Sequence, residues 1–255
     1  MRYDVATALD KGKRDYQEDA VAVTFPANCP IGFAVLADGM GGHAAGDVAS
    51  SLVVEEVGRR LSVRLASGEV SDDDIPGILH DAATGANASI AAYISRNRDM
   101  MGMGTTLITP FLLEDRLHWL SVGDSPLYVF SEDGLRQVNE DHSMGPQIDM
   151  MVRAGMLDPD TARNHPDRNC LTSVLMGAPI PRIDFGKAPL KLLPGDIVIA
   201  SSDGLQFLTN EDIRNVVHKH RKESSAALAE ALVASVRSLD DPDQDNISVA
   251  VIKVS

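Results

Sequence analysis

The 255-residue chain has only two cysteines, one tryptophan and 4% aromatic residues. Cys29 and Cys170 lie far apart, with no CxxC or zinc-ligand spacing. That argues against a disulfide framework and a structural zinc site, and predicts buried free thiols in a reducing compartment. Uninterrupted apolar runs are short, none near the roughly 18 residues that a membrane span needs. Met1 to Arg14 mixes charges with single apolar residues, so a signal-peptide core is missing as well. Positive charge is scarce: 23 Lys and Arg stand against 37 Asp and Glu, for a formal charge of −14. Phosphate backbones and anionic lipids need basic clusters, so a nucleic-acid or membrane-surface partner is disfavoured. What remains is a cytoplasmic globular protein, long enough for a sizeable core.

Against these absences, four acidic segments stand out: Arg14-Asp15-Tyr16-Gln17-Glu18-Asp19, Asp38-Gly39-Met40-Gly41-Gly42-His43, Ser202-Asp203-Gly204 and Asp243-Gln244-Asp245-Asn246. Each sets a carboxylate at the edge of an apolar, strand-like run: 21–25, 31–37, 197–200 and 247–254. Strands of one core can bring such edges together, and clustered carboxylates repel unless a cation sits among them. The pattern predicts a scaffold for divalent metal ions.

Strand signals also cover 3–8, and they return over 105–113, 117–122 and 127–130 with short turns, as in antiparallel sheet. Helical periodicity runs through Ala49, Leu52, Val53, Val57 and Leu61. It recurs through Ile75, Ile78, Leu79, Ala82, Ala86 and Ile90. Asp72-Asp73-Asp74 reads as the acidic cap of that second helix. Thr209 and Asp212 suit a capping pair before a helix at 213–218, and Leu228 to Leu239 suits a last amphipathic helix. Residues 140–190 are rich in Pro, Gly, Met, Asp and Asn, and read as an excursion from the main domain. Strand groups with two helix pairs predict sheet packed on sheet with helices outside.

Rival readings of the motifs fail on detail. Gly39-x-Gly41-x-x-Ala44 fits a loose dinucleotide-binding pattern, but Asp38 stands where a pyrophosphate must approach. A phosphate-binding Walker loop fails because Asp47-Val48 follows Gly46. Asp241-x-Asp243-x-Asp245 lacks the glycine and the closing Glu of a calcium-binding EF-hand loop. The surviving ligand set is all oxygen, which favours Mg²⁺ or Mn²⁺. Two such ions activate water for attack on phosphorus, and Arg14 could offer its fork of donors to a phosphate.

Taken in order, Arg14 to Ala20, Ala37 to Gly46, Gly102 to Leu107, Val122 to Ser125, Glu140 to Ser143, Ala162 to Thr172, Ser201 to Leu208 and Asp245 to Val249 resemble the metal-dependent type 2C protein phosphatases, in their bacterial serine/threonine form. The resemblance implies an α+β fold, a four-layer α-β-β-α sandwich of two antiparallel sheets flanked by helix pairs. It implies one domain over 1–255, with a flap subdomain at 145–187. The implied activity is hydrolysis of phosphoserine and phosphothreonine in proteins by a metal-bound water at a binuclear Mn²⁺ or Mg²⁺ centre. Asp38 would bridge the ions, with the Gly39 carbonyl on one and Asp203 and Asp245 on the other. Glu18 or Asp19 would complete the first, and Asp124 matches the holder of a third ion. Arg14 would bind the phosphate, and His43 would protonate the leaving oxygen. His142 reads as structural. Pro126 stands where many relatives carry Arg, which puts local support of Asp124 in question. Implied partners are phosphorylated proteins, among them a serine/threonine kinase or its targets. A phosphoprotein-binding domain without turnover is the competing class, and the intact acidic set argues against it.

Overall fold

The computed structural model describes residues 1–27, 29–41, 44–67 and 70–255. Strands β1 (Tyr3–Asp10), β2 (Asp19–Thr24) and β3 (Ile31–Met40) precede two long helices, α1 (Ala44–Ala66) and α2 (Ile75–Arg96). Then come β4 (Gly104–Thr105), β5 (Leu107–Leu113), β6 (Arg116–Val122), β7 (Leu127–Ser131) and β8 (Gly134–Gln137). Two short helices, α3 (Gly145–Arg153) and α4 (Pro159–Arg163), lead to β9 (Asp184–Phe185), β10 (Leu190–Lys191) and β11 (Ile197–Ser201). Helices α5 (Asn210–His220) and α6 (Ser225–Arg237) and strand β12 (Ile247–Val254) close the chain.

One antiparallel sheet has the order β1-β12-β11-β7-β8. The other runs β10-β6-β5-β3-β2, with β4 against β3 and β9 against β6. Alternation along each strand assigns its two faces. On β3, Phe33, Val35 and Ala37 pack toward α1 and α2, while Ala34 and Leu36 face the other sheet. On β12, Val249 and Val251 pack toward α5 and α6, while Ala250 and Ile252 meet the opposite sheet. Three apolar layers therefore separate helix pair, sheet, sheet and helix pair, the α+β sandwich expected. Strands buried on both faces are apolar at nearly every position, which is why they read as continuous runs.

Several local expectations are corrected. The strand expected over 105–113 breaks at Thr106. Its N–H donates to the Asp38 carbonyl (2.9 Å), and its hydroxyl accepts from the Asp38 N–H (3.0 Å). Asp72 does not cap α2; it accepts from Arg116 (2.8 Å) and contacts His118 Nε2 at 2.7 Å. Asp74 occupies the cap position, but its carboxylate accepts from Ser71 rather than from the helix. The last helix ends at Arg237, leaving Leu239 exposed. Cys170 is exposed and Cys29 half-buried, so neither thiol is a core residue; Cys170 lies on an irregular segment whose carbonyl binds Met144 N–H. Among the described residues, no helix is long and apolar enough to cross a membrane.

Candidate metal centre

The acidic segments meet at one end of the sandwich because four strands begin or end there. Asp19 opens β2 and stands opposite Asp38 near the end of β3. Asp203 follows β11 at the start of a single 3₁₀ turn, and Asp245 lies two residues before β12. Asp124 follows β6 in the bend to β7. Two close backbone approaches draw the loops together. Gly39 donates to the Glu18 carbonyl (3.1 Å), and a Cβ on Gly39 would collide with the Gly46 carbonyl. Likewise, a Cβ on Gly204 would collide with the Asn246 carbonyl, so the Asp203 and Asp245 segments touch only because residue 204 is glycine.

Polar neighbours that the sequence reading did not single out hold these carboxylates. Ser202 Oγ donates to Asp19 Oδ2 (2.6 Å) and accepts from the Ser248 N–H (3.0 Å). Asn246 Oδ1 accepts from the Glu18 N–H (2.7 Å), and its Nδ2 donates to the carbonyls of Lys11 and Tyr16 (2.8 and 2.9 Å). That one amide fixes the whole 11–18 loop against β12. Its signal in the sequence was its place beside Asp245. Around Asp124, Thr106 and Ser125 share a hydroxyl–hydroxyl bond (2.8 Å). Asn139 donates to the Ser125 carbonyl (2.9 Å) and accepts from the Leu127 N–H (2.7 Å). These contacts support the loop that carries Pro126. His142 is fully buried, exchanging backbone and side-chain hydrogen bonds with Gly123 (3.1 and 3.2 Å).

The electrostatics are those of crowded like charges. Burial, then the charges of Asp19, Asp203, Asp124 and Asp245, push the Asp38 carboxyl well above the usual range. Burial also raises Asp19, opposed by the hydrogen bond from Ser202 and reinforced by the charges of Asp203 and Asp245. Burial and Asp245 raise Asp203, with Asp38 hydrogen bonding and Arg14 opposing. Asp124 is pushed up to about 7 by burial, then by Asp203 and Asp141. Glu18 is raised by burial, partly countered by Arg14.

Fit to a cation rests on these donors. Buried oxygens of Glu18 (Oε1), Asp19 (Oδ1) and Asp203 (Oδ1) have no hydrogen-bond partner, an arrangement that costs free energy unless a cation or water completes it. Among the described residues, no three His, Cys, Asp or Glu side chains are already arranged to hold a metal ion. The donors are hard oxygens, which suit Mg²⁺ or Mn²⁺ with water completing the shell. Arg14 is at the site but occupied, donating to Asp245 Oδ2 at 2.6 Å. His43 lies outside the described residues. Beside the carboxylates opens a groove of about 450 Å³, lined by Asp124, Asp141 and Asp203 together with Arg168 and Asn169. Asp141, unassigned from sequence, thus shares the groove with Asp124.

Comparison with known proteins places this geometry. Residues 12–246 match the family described as Protein phosphatase 2C. The serine/threonine phosphatase Stp of Listeria monocytogenes is 30% identical over 246 residues, covering 96% of this chain and 93% of that protein. Among solved structures, Staphylococcus aureus serine/threonine phosphatase Stp1 matches with a TM-score of 0.83 at 26% identity, over 100% of this chain and 96% of that one. The catalytic domain of PstP in complex with two manganese ions matches with a TM-score of 0.77 at 28% identity, over 99% of both chains. The fold and the acidic end therefore define a phosphatase, a hydrolase. The chain belongs to the protein phosphatase 2C family.

Proposed function

We propose that this protein hydrolyses phosphoserine and phosphothreonine in other proteins at a centre of two Mn²⁺ or Mg²⁺ ions. The supporting observation is the meeting of the acidic segments at one end of the sandwich, with Asp19 opposite Asp38 and the Gly204 backbone against Asn246, which leaves buried oxygens of Glu18, Asp19 and Asp203 without hydrogen-bond partners. Asp38 would be shared by both ions, with the Gly39 carbonyl and Glu18 or Asp19 on one and Asp203 and Asp245 on the other. Asp124 would hold a third. When bound, the ions supply positive charge that neutralises the phosphate and lowers the pKa of water.

The chain's own residues do the rest. Arg14, paired with Asp245 in the structure, would offer its guanidinium fork to the phosphate oxygens. Ser202 and Asn246 orient Asp19 and the loop bearing Glu18. His43 donates the proton to the departing serine or threonine oxygen. Residues 145–187 act as a flap beside the groove, within one domain spanning 1–255. Phosphoproteins, including a serine/threonine kinase or its targets, are the partners, in the cytoplasm.

The test is hydrolysis of a phosphothreonine peptide by purified protein. Turnover with Mn²⁺ that stops with excess chelator and returns on adding Mn²⁺ is expected. A folded, Mn²⁺-replete protein without turnover would sink the proposal.

A further inference from the structure

We infer that a methionine ledge beside Asp38 selects phosphoprotein segments carrying an apolar side chain two residues from the phosphorylated one. This rests on the phosphatase reading above and adds a substrate preference to it.

Nine of the ten methionines fall between residues 40 and 176. Two that are exposed come from separate segments meeting at Gly104, Met40 (40% exposed) and Met176 (43%), and exposed Met101 (68%) stands three residues before that glycine. Met40 pairs with Gly104 across β3 and β4. Its Cγ and the Met176 Cβ lie 3.6 and 3.4 Å from where a Cβ on Gly104 would stand, so both side chains cover the same bare glycine. Met101 precedes Gly102, whose carbonyl lies 3.2 Å from where a Cβ on Gly41 would stand.

A single exposed methionine needs no explanation. Here the backbone that displays it is fixed on both sides. Leu175 is fully buried and exchanges backbone hydrogen bonds with Thr105 (2.9 and 3.0 Å). Asn87 donates to the Ala178 carbonyl (2.7 Å) and accepts from the Gly177 N–H (2.8 Å). Gly177 takes φ +81°, where a Cβ would stand 2.8 Å from the Ala91 backbone. Met176 is therefore presented from an ordered segment, which lowers the entropy cost of binding, while its thioether adapts to varied apolar partners.

The position sets the register. Asp38 and Met40 are two residues apart on β3, on one face and roughly 7 Å apart along the strand. That span equals about two residues of an extended peptide. In the proposed pose the segment runs along β3, so that a phosphorylated side chain at the carboxylates brings the residue two positions away onto the ledge. Leu, Ile, Val or Phe suits it, whereas Asp or Glu meets the field of the acidic cluster in a chain of charge −14.

Three substrates with Mn²⁺ test this: p-nitrophenyl phosphate, and phosphothreonine peptides with Leu or Glu at both second positions. Wild-type protein is expected to favour the Leu peptide by about tenfold or more in kcat/KM. The double variant Met101→Gln/Met176→Gln is expected to lose that preference through KM, with p-nitrophenyl phosphate turnover unchanged. Equal use of both peptides by wild type, or a preference that survives in the variant, overturns the ledge and leaves the phosphatase reading standing. No turnover of any substrate by folded wild type overturns both.

Discussion

At the scale of single residues, the carboxylates depend on neutral neighbours for their placement. Asn246 makes three hydrogen bonds that tie the loop carrying Arg14 and Glu18 to the start of β12. Asn246→Ala would leave the Glu18 N–H and two carbonyls without their partner, at about 1–3 kcal/mol. For a chain of this size that lowers Tm by roughly 2–4 °C per kcal/mol. The same change is expected to raise the Mn²⁺ concentration for half-maximal activity, because Glu18 and Asp245 lose their common strut. Thermal melts with and without Mn²⁺ check the first effect, and a metal titration of activity the second. An unchanged Mn²⁺ requirement would reduce Asn246 to a folding residue. Asn246 was visible beside Asp245, but its task was hidden, since its partners lie more than 200 positions away.

At the scale of elements, what could be read from sequence is what local chemistry determines. The capping box at α5 is an example: Thr209 accepts from the Asp212 N–H, and the Asp212 side chain accepts from the Thr209 N–H. Thr209→Ala should cost about 1 kcal/mol with kcat unaltered, measured by denaturant unfolding and peptide turnover. A loss of turnover would mean that α5 communicates with the site. The central strands were equally legible, since β3, β11 and β12 are apolar on both faces. Two of the misreadings have distant causes. Asp72 looked like a helix cap, yet its partners Arg116 and His118 lie on β6. The break at Thr106 answers to Asp38 on a neighbouring strand, and the two-residue strands β9 and β10 exist only as pairings to β6.

Over the whole molecule, the acidic end sets a balance between protons and metal. Asp19, Asp38, Asp124 and Asp203 all have folded-state pKa values raised above the unfolded range, Asp124 to about 7. A raised carboxyl contributes stability below its unfolded pKa, near 4, and loses it as pH climbs through the folded value. Metal-free protein therefore loses this contribution between about pH 4 and 7, while bound cations favour the ionised carboxylates. The gap in Tm between Mn²⁺-loaded and chelated protein is expected to widen from pH 5.5 to pH 8. A gap that narrows over this range would show that the carboxylates are not the ligands. The two-sheet sandwich and the meeting of the acidic segments were anticipated in outline, because strand edges and their carboxylates are adjacent in sequence. The hydrogen-bonded frame of Ser202, Thr106 and Asn139 was not, because each contact joins segments separated by many residues.

The most direct test of the central claim is a calorimetric titration of Mn²⁺ into chelator-treated wild-type and Asp38→Asn protein at pH 7.5. At least two ions should bind per wild-type chain, with Asp38→Asn losing most of that affinity while remaining folded. Wild-type protein that binds no Mn²⁺, or an Asp38→Asn protein that binds it as wild type does, would contradict the account.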